Sequence, residues 1–313
     1  MERSRHSQAH RLFLEGNLTP DRYLGGRLAP SLALRRQRFP VVNGIFYPDN
    51  SEALIDRLTA WGLREEREIS SPGGQIIIAP HGAWDISGMI AAAAFAKVQA
   101  GRTENETQSG GIKRIILLGP CHGSGEQGIY LSESASFQTP LGDLPVDRRV
   151  NQKLASCSTL FRENDSLHLS EHSLEILLPM AKYCFPGVKI VPILAQGHRP
   201  VLISGLARAL RLILEEYMDR SLLVVSSNAA ASGDPSLAFS MADEFRTILA
   251  SMDTGAFLAG LSQGRISACG GAIIAALLDS GLLGGRRFSA LTPLIHKTEE
   301  NGHTVYYSAF AAV

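Results

Sequence analysis

Four continuous apolar runs, each followed by a helix-like segment, constrain the fold of this chain more than any other feature. The runs are IIIA at 76–79, IILL at 115–118, IVPIL at 190–194 and LLVV at 222–225. Strands without polar alternation are buried on both faces, as in parallel sheets that helices cover from both sides. The pattern predicts an α/β fold: a single three-layer α/β/α domain around a central, mostly parallel sheet.

Helical patterns fill the segments between these runs, because their apolar residues recur at helical spacing. The predicted helices are 51–61 with Asp49 or Ser51 as its N-cap, 86–100, 146–156 with Asp147 as its N-cap, 171–185, 200–218, 236–250 and 269–282. Residues 303–313 alternate between polar and apolar side chains, which predicts an edge or closing strand.

Charge divides the chain into two unequal parts. Residues 1–38 contain eight Arg and three acids, so they carry +5, although the whole chain has a formal net charge of zero. We interpret residues 1–40 as a basic N-terminal arm or tail and 41–313 as the α/β domain. The neutral total and a pI near 7.1 argue against nucleic acid or a membrane as partners.

Four cysteines without C-x-x-C spacing indicate reduced thiols rather than a disulfide framework or a paired zinc site. The sequence also contains neither an apolar run of the ~18 residues that a membrane span needs nor a signal peptide's ~7–15-residue apolar stretch. These features together predict a cytoplasmic protein.

Two histidines follow the first two apolar runs in similar local sequences, APHG at 79–82 and GPCHG at 119–123. Ligands of open α/β sheets bind beyond the carboxyl ends of the strands. His81 and His122 are therefore candidates to share one metal ion. Cys269, before Gly-Gly and an apolar helix, is a candidate thiolate ligand or nucleophile. Hydrogen-bonded loop histidines and a packed cysteine are the alternative interpretation.

Competing motifs lie elsewhere in the sequence. His168, Glu171 and His172 match the H-x-x-E-H pattern of a zinc metallohydrolase. Alternatively, His172 and Glu175, one helical turn apart, point toward the pocket of His81 and His122. A hydrolase that uses Cys121 and His122 is a weaker option, because neighbouring side chains usually point apart. The segment GPCHGSGEQG lacks the Lys-Ser/Thr of a phosphate loop, so no nucleotide cofactor is expected.

Several segments, taken together, resemble the MEMO family, whose bacterial and archaeal members are called AmmeMemoRadiSam system protein B. The segments are VVNGIFYP, APHGAWDISG, ILLGPCHG, TPLGDLPVD, EHSLEILLP, VVSS and ACGGAIIAAL, in that order from residue 41 onward. The resemblance implies a fold similar to class III extradiol dioxygenases, with a central mixed sheet between helices. It also implies an iron or copper pocket of two His and one Cys. The matching metal ligands are His81, His122 and Cys269. The expected pocket residues are Trp84, Asp85, Glu171 and Asn228, with His172 and Glu175 as catalytic candidates.

Several positions depart from the pattern that the resemblance implies, and two of them change the chemistry of the site. Family members carry Asp where this chain has Asn228, and an acid/base His where it has Ala231. Loss of a general acid/base costs a factor of ~10²–10⁴ in rate. Two functions therefore stay open. One is a protein with Fe(II) or Cu and redox or dioxygenase-like chemistry. The other is a non-catalytic module that binds a small molecule, a peptide or a protein, including the AMMECR-type and radical-SAM proteins that the family name implies.

Overall fold

The structure, a computed structural model, describes residues 37–64, 75–100, 112–123 and 127–312. Residues 1–36 of the predicted basic arm lie outside the described residues, so the arm stays a prediction. Arg38, which the prediction placed in the arm, is buried in the domain.

The described residues form strands and helices with the following bounds. The strands are β1 (Gln37–Arg38), β2 (Gln75–Ala79), β3 (Arg114–Pro120), β4 (Gly128–Leu131), β5 (Ser136–Phe137), β6 (Leu144–Pro145), β7 (Phe161–Glu163), β8 (Lys189–Gln196), β9 (Ser221–Ser226), β10 (Ala230–Ser232), β11 (Phe288–Ala290), β12 (Ile295–Thr298), β13 (Thr304–Tyr307) and β14 (Phe310–Ala312). The α-helices are α1 (Ser51–Ala60), α2 (Met89–Ala100), α3 (Arg148–Cys157), α4 (Asp165–Ser170), α5 (Leu178–Cys184), α6 (Pro200–Tyr217), α7 (Pro235–Ser251), α8 (Thr254–Ser262) and α9 (Gly271–Asp279).

Eight strands form the central sheet, in the order β11-β14-β2-β9-β3-β8-β4-β7. The four predicted strands, β2, β9, β3 and β8, are neighbours and run parallel. Antiparallel pairing begins outside them, where β14 joins β2 and β4 joins β8. The predicted mixed, mostly parallel sheet is confirmed. A smaller antiparallel sheet, β10-β13-β12, begins four residues after β9 ends.

Helices cover both faces of this sheet, because successive strand residues point to opposite sides. Ile77 and Leu117 contribute to a core beneath α1, α2 and α5. Ile76, Ile78 and Leu118 contribute to a second core beneath α3 and α6–α9. The three-layer α/β/α prediction is therefore confirmed. No helix in the described ranges is both long enough and apolar enough to cross a membrane.

Local deviations from the predicted helices have identifiable causes. The helix predicted at 171–185 begins only at Leu178, after a 3₁₀ turn at Glu175–Leu177. The carboxylate of Glu171 accepts the backbone N–H groups of His172 and Ser173, a local arrangement that competes with helix formation. The N-cap of α1 is Asn50 rather than Asp49 or Ser51, whereas Asp147 caps α3 as predicted.

Candidate metal centre

Two strand ends and one helix start meet at the carboxyl edge of the central sheet. His81 follows β2 and His122 follows β3, and β9 lies between these strands. Cys269 lies two residues before α9. Its sulfur is 3.3 Å from Nε2 of His81, and one ligand atom from each of His81, His122 and Cys269 lies within 4.8 Å of the other two. These three residues form the cluster.

A serine at the end of β9 fixes the orientation of the first imidazole. The hydroxyl of Ser226 donates to the carbonyl of Ser173 at 2.7 Å and lies 2.7 Å from Nδ1 of His81. Because a hydroxyl has one hydrogen, Ser226 accepts the hydrogen of Nδ1. In the neutral ring, Nε2 of His81 is then the nitrogen with the lone pair, and it faces the sulfur of Cys269.

A buried carboxylate orients the second imidazole. Glu171 Oε1 lies 3.0 Å from Nδ1 of His122, and Oε2 accepts the backbone N–H of His122 at 2.5 Å. An ionised carboxylate only accepts, so Nδ1 of His122 carries a hydrogen. Burial alone would lower the pKa of His122, but hydrogen bonds with Cys269 and Glu171 raise it to about 10. Burial alone would likewise raise the pKa of Glu171, but the hydrogen bonds and charge of His122 hold it below its usual range.

The third member of the cluster is a cysteine with a lowered pKa. Burial alone would raise the pKa of Cys269, yet electrostatic interactions and hydrogen bonds with His81 and His122 hold it well below its ordinary value. The backbone N–H of Asn228 also donates to the sulfur at 3.0 Å. Close packing behind the sulfur requires glycine at position 270, because a Cβ there would lie 2.7 Å from Cβ of Ser227.

A second group of possible ligands adjoins the cluster: His122, Glu171 and His172. It is poorly suited to a metal, because Glu171 already accepts four hydrogen bonds, three of them from backbone N–H groups. The ring of His172 stacks on that of His122 with 5.2 Å between centroids and touches the ring of Phe46 edge-on. His172 therefore forms a wall of the site.

Comparison with known proteins identifies the family of this chain. A sequence model described as Memo-like protein matches residues 38–307.

The chain belongs to the Memo-like family.

Similar proteins include MEMO1 family proteins of Thermotoga neapolitana, 27% identical over 61% of this chain and 68% of that protein, and of Thermotoga maritima, 26% identical over 78% and 88%. A MEMO1 family protein of Methanobrevibacter smithii is 27% identical over 79% and 88%. The crystal structure of an uncharacterized protein from Escherichia coli K12 matches with 12% identity and a TM-score of 0.48, over 76% of this chain and 99% of that one.

Two predicted pocket residues of this Memo-like chain do not face the cluster. Residues Trp84–Gly88 form a single π-helical turn, which directs Trp84 into the core, where its indole N–H donates to the carbonyl of Ile176. The same turn directs Asp85 outward, into an exposed ion pair with Arg57. The prediction was wrong for both side chains, because their closeness to His81 in sequence does not fix their direction. Asn228, by contrast, contacts both His81 and Cys269.

Glu175 also lies elsewhere than predicted. Its carboxylate pairs with Arg38 at 2.5 Å and accepts hydrogen bonds from the hydroxyl of Tyr47 and the N–H groups of Val41 and Val42. Burial and the negative charge of Glu175 raise the pKa of Tyr47. Arg38, Tyr47 and Glu175 form the clamp. Among the described residues, the carboxylate of Glu175 contacts only residues 38–47, so we correct its assignment as a catalytic candidate.

The alternative zinc site is not formed. His168 lies inside α4 and is buried, and Nε2 of its ring lies 3.2 Å from the carbonyl oxygen of Tyr130. Glu171 and His172 follow the end of that helix, so the three side chains of the H-x-x-E-H pattern do not converge. Cys121 is also a poor nucleophile, because burial and the charge of Glu171 raise its pKa to about 11.

Sequence reasoning missed Ser226 and Tyr307 as residues of the site. Ser226 was visible only as the polar residue that ends an apolar strand. Tyr307 lies in β13, near the chain end, and its ring packs against Gly82 beside His81. No local pattern connects positions that are more than two hundred residues apart.

Proposed function

We propose that the protein binds one Fe(II) or Cu ion through Nε2 of His81, Nε2 of His122 and the sulfur of Cys269. The observation that carries this proposal is the orientation of the two rings. Each ring gives its Nδ1 hydrogen to an acceptor, Ser226 for His81 and Glu171 for His122. Such partners are typical of histidines that bind a metal, because they hold the hydrogen on Nδ1 and leave Nε2 as the nitrogen that a metal ion can bind, in place of a proton if one is present.

The donor set suits these metals. Imidazole and thiolate ligands favour copper and iron over magnesium or calcium. The separation of 3.3 Å between the sulfur and Nε2 of His81 fits two bonds of roughly 2.0–2.3 Å to a common ion. Bound there, either ion would supply one-electron redox chemistry, with coordination positions left for a small ligand.

The side chains around the cluster define what else the site can do. His81 and His122 use both ring nitrogens, so they are unavailable for proton transfer to a ligand. Position 231, an acid/base His in the pattern that the family resemblance implies, is Ala in this chain. His172, stacked on His122, is the remaining imidazole beside the cluster and is the candidate to exchange a proton with a bound ligand.

Metal analysis tests the proposal. Protein purified without added metal should contain about one iron or copper ion per chain. His81→Ala and Cys269→Ala should lose this ion, whereas Cys157→Ala, which changes an exposed cysteine, should keep it. Equal metal content in all four proteins would refute the site. Zinc alone, bound with full occupancy, would refute the redox function while leaving the ligands in place.

A second candidate function is that of a non-catalytic binding module. The observation in its favour is the exposed Ala231 in β10, a position without an acid/base side chain. Its partners would be a peptide or a protein, such as the AMMECR-type and radical-SAM proteins expected from the family resemblance. A complex with such a protein that forms equally well with wild type and with Cys269→Ala would support this function. Turnover of any small molecule that requires Cys269 would exclude it. A cytoplasmic location stays a prediction under either function.

A further inference from the structure

The ring of Tyr307, including the carbon that carries its hydroxyl, lies against Gly82, the residue that follows His81 of the cluster. The side chain is buried, with 3% of its surface exposed. A Cβ on Gly82 would lie 3.0 Å from Cε1 of the Tyr307 ring, so the ring packs directly against the residue that follows His81. Burial, together with the negative charges of Glu299 and Cys269, raises the pKa of Tyr307, so this hydroxyl is a neutral donor.

The hydroxyl of Tyr307 has no hydrogen-bond partner among the residues that the structure describes. Tyrosines that are mostly buried usually find a partner for this group. The described buried side-chain atoms that lack a partner are Asn151 Oδ1 and Gln196 Oε1, so the hydroxyl of Tyr307 is open to solvent, and a ligand that enters there can supply an acceptor.

Asn228 adds a second donor at the same place. Its Oδ1 accepts the backbone N–H of His81 at 3.0 Å. Because only the oxygen can accept, this contact fixes the orientation of the amide and assigns Nδ2 to the other side. No described residue accepts a hydrogen bond from Nδ2. Asn228 and Tyr307 thus contact His81 and Gly82, which are adjacent, and each has a free donor.

The small sheet places open space on the same side as Tyr307. Ala231 pairs with Val305 across β10 and β13, and directly opposed residues share a face. Tyr307 is two residues from Val305 and therefore lies on that face as well. Ala231 is exposed, and its methyl group leaves more room for a ligand than a larger side chain would.

We propose that Oη of Tyr307 and Nδ2 of Asn228 bind the carboxylate of a small organic acid at the cluster. This inference rests on the proposed metal site. Two neutral donors and a metal cation favour an anionic ligand. Asn at position 228 carries no charge, whereas an Asp would place a negative charge beside the ligand and repel a carboxylate.

Oxalate binding to the cobalt-loaded protein tests the assignment, because Co(II) bound by a thiolate has visible absorption that reports added ligands. Tyr307→Phe should weaken oxalate binding about ten-fold, as expected for a lost hydrogen bond to a charged group. Asn228→Asp should weaken it at least as much. The affinity for Co(II) itself should change less than three-fold in Tyr307→Phe. Tyr306→Phe is the matched control, because Tyr306 belongs to the opposite core, and it should bind oxalate like wild type.

The outcomes separate the two proposals. If Co(II) binds and oxalate affinity is the same in wild type, Tyr307→Phe and Tyr306→Phe, the carboxylate subsite is wrong and the metal site stands. The same holds if the loaded wild type binds the uncharged analogue oxamide as tightly as oxalate. If His81→Ala and wild type both fail to bind Co(II), the metal site is refuted and the subsite with it.

Discussion

The cluster and the clamp each depend on a buried glutamate of the same short motif, yet the two carboxylates have different partners. Glu171 is paired with His122 and with backbone N–H groups of the site. Glu175 is paired with Arg38 and with the segment at 41–47. An arginine is always charged, so Arg38 has no proton to exchange for a metal ion. A histidine can exchange a proton for a metal ion, so the Glu171–His122 pair is compatible with metal binding by His122.

The clamp should contribute more to stability than the Glu171–His122 pair or the exposed Asp85–Arg57 pair. Glu175→Ala leaves the buried guanidinium of Arg38 without its counter-charge, and such changes cost about 3–5 kcal/mol of unfolding free energy. Urea denaturation measures the loss. Asp85→Ala is the control, because its ion pair with Arg57 is exposed and such pairs contribute about 0–1 kcal/mol. Equal losses in the two variants would show that the clamp is not a stabilising pair.

The next largest expected effect is a pH dependence of stability that comes from His168, which contacts Arg38 of the clamp. Burial and the positive charge of Arg38 lower the pKa of His168 to about 4 from an ordinary 6.5. Between these two pKa values the unfolded chain binds a proton at His168, whereas the folded chain does not. Stability therefore falls as pH decreases from about 6.5 to about 4. The full difference corresponds to about 3 kcal/mol.

Unfolding free energies at pH 7 and pH 4 measure this contribution. His168→Phe removes the titrating ring, so the stability difference from wild type should shrink or reverse between pH 7 and pH 4. His303→Ala, an exposed histidine, should retain the wild-type pH dependence. A pH dependence unchanged in His168→Phe would assign the effect to other groups.

The contrast between the two regions also shows what the sequence could predict. Continuous apolar runs identify buried parallel strands, and parallel strands bring their ends to one edge, so His81 and His122 were predictable as neighbours. The direction of a side chain within a loop depends on long-range packing. Arg38 meets Glu175 across 137 positions of the sequence, and a π-helical turn directs both Trp84 and Asp85 away from the cluster.

On the cluster side, Glu171→Gln should weaken metal binding about 10–100-fold, as expected when a partner of a metal-ligating histidine is changed. The amide places N–H groups where Glu171 now accepts from Nδ1 of His122 and from backbone N–H groups. Competition with a chelator of known affinity measures the change. Glu175→Gln is the reciprocal control: it should reduce stability but change metal affinity less than three-fold. If Glu171→Gln and Glu175→Gln lost the same stability and the same metal affinity, the two glutamates would not have the separate roles described for the cluster and the clamp.

The smallest effect should come from Ser226, which orients His81 as Glu171 orients His122. Its hydroxyl accepts from Nδ1 of His81 and donates to the carbonyl of Ser173. Hydrogen bonds between neutral groups are about half as strong as those to a charge, so Ser226→Ala should weaken metal binding by less than Glu171→Gln, about ten-fold or below. Ser226→Thr retains a hydroxyl and should recover most of the affinity. A larger loss from Ser226→Ala than from Glu171→Gln would mean that the tautomer of His81, rather than the charge next to His122, controls the site.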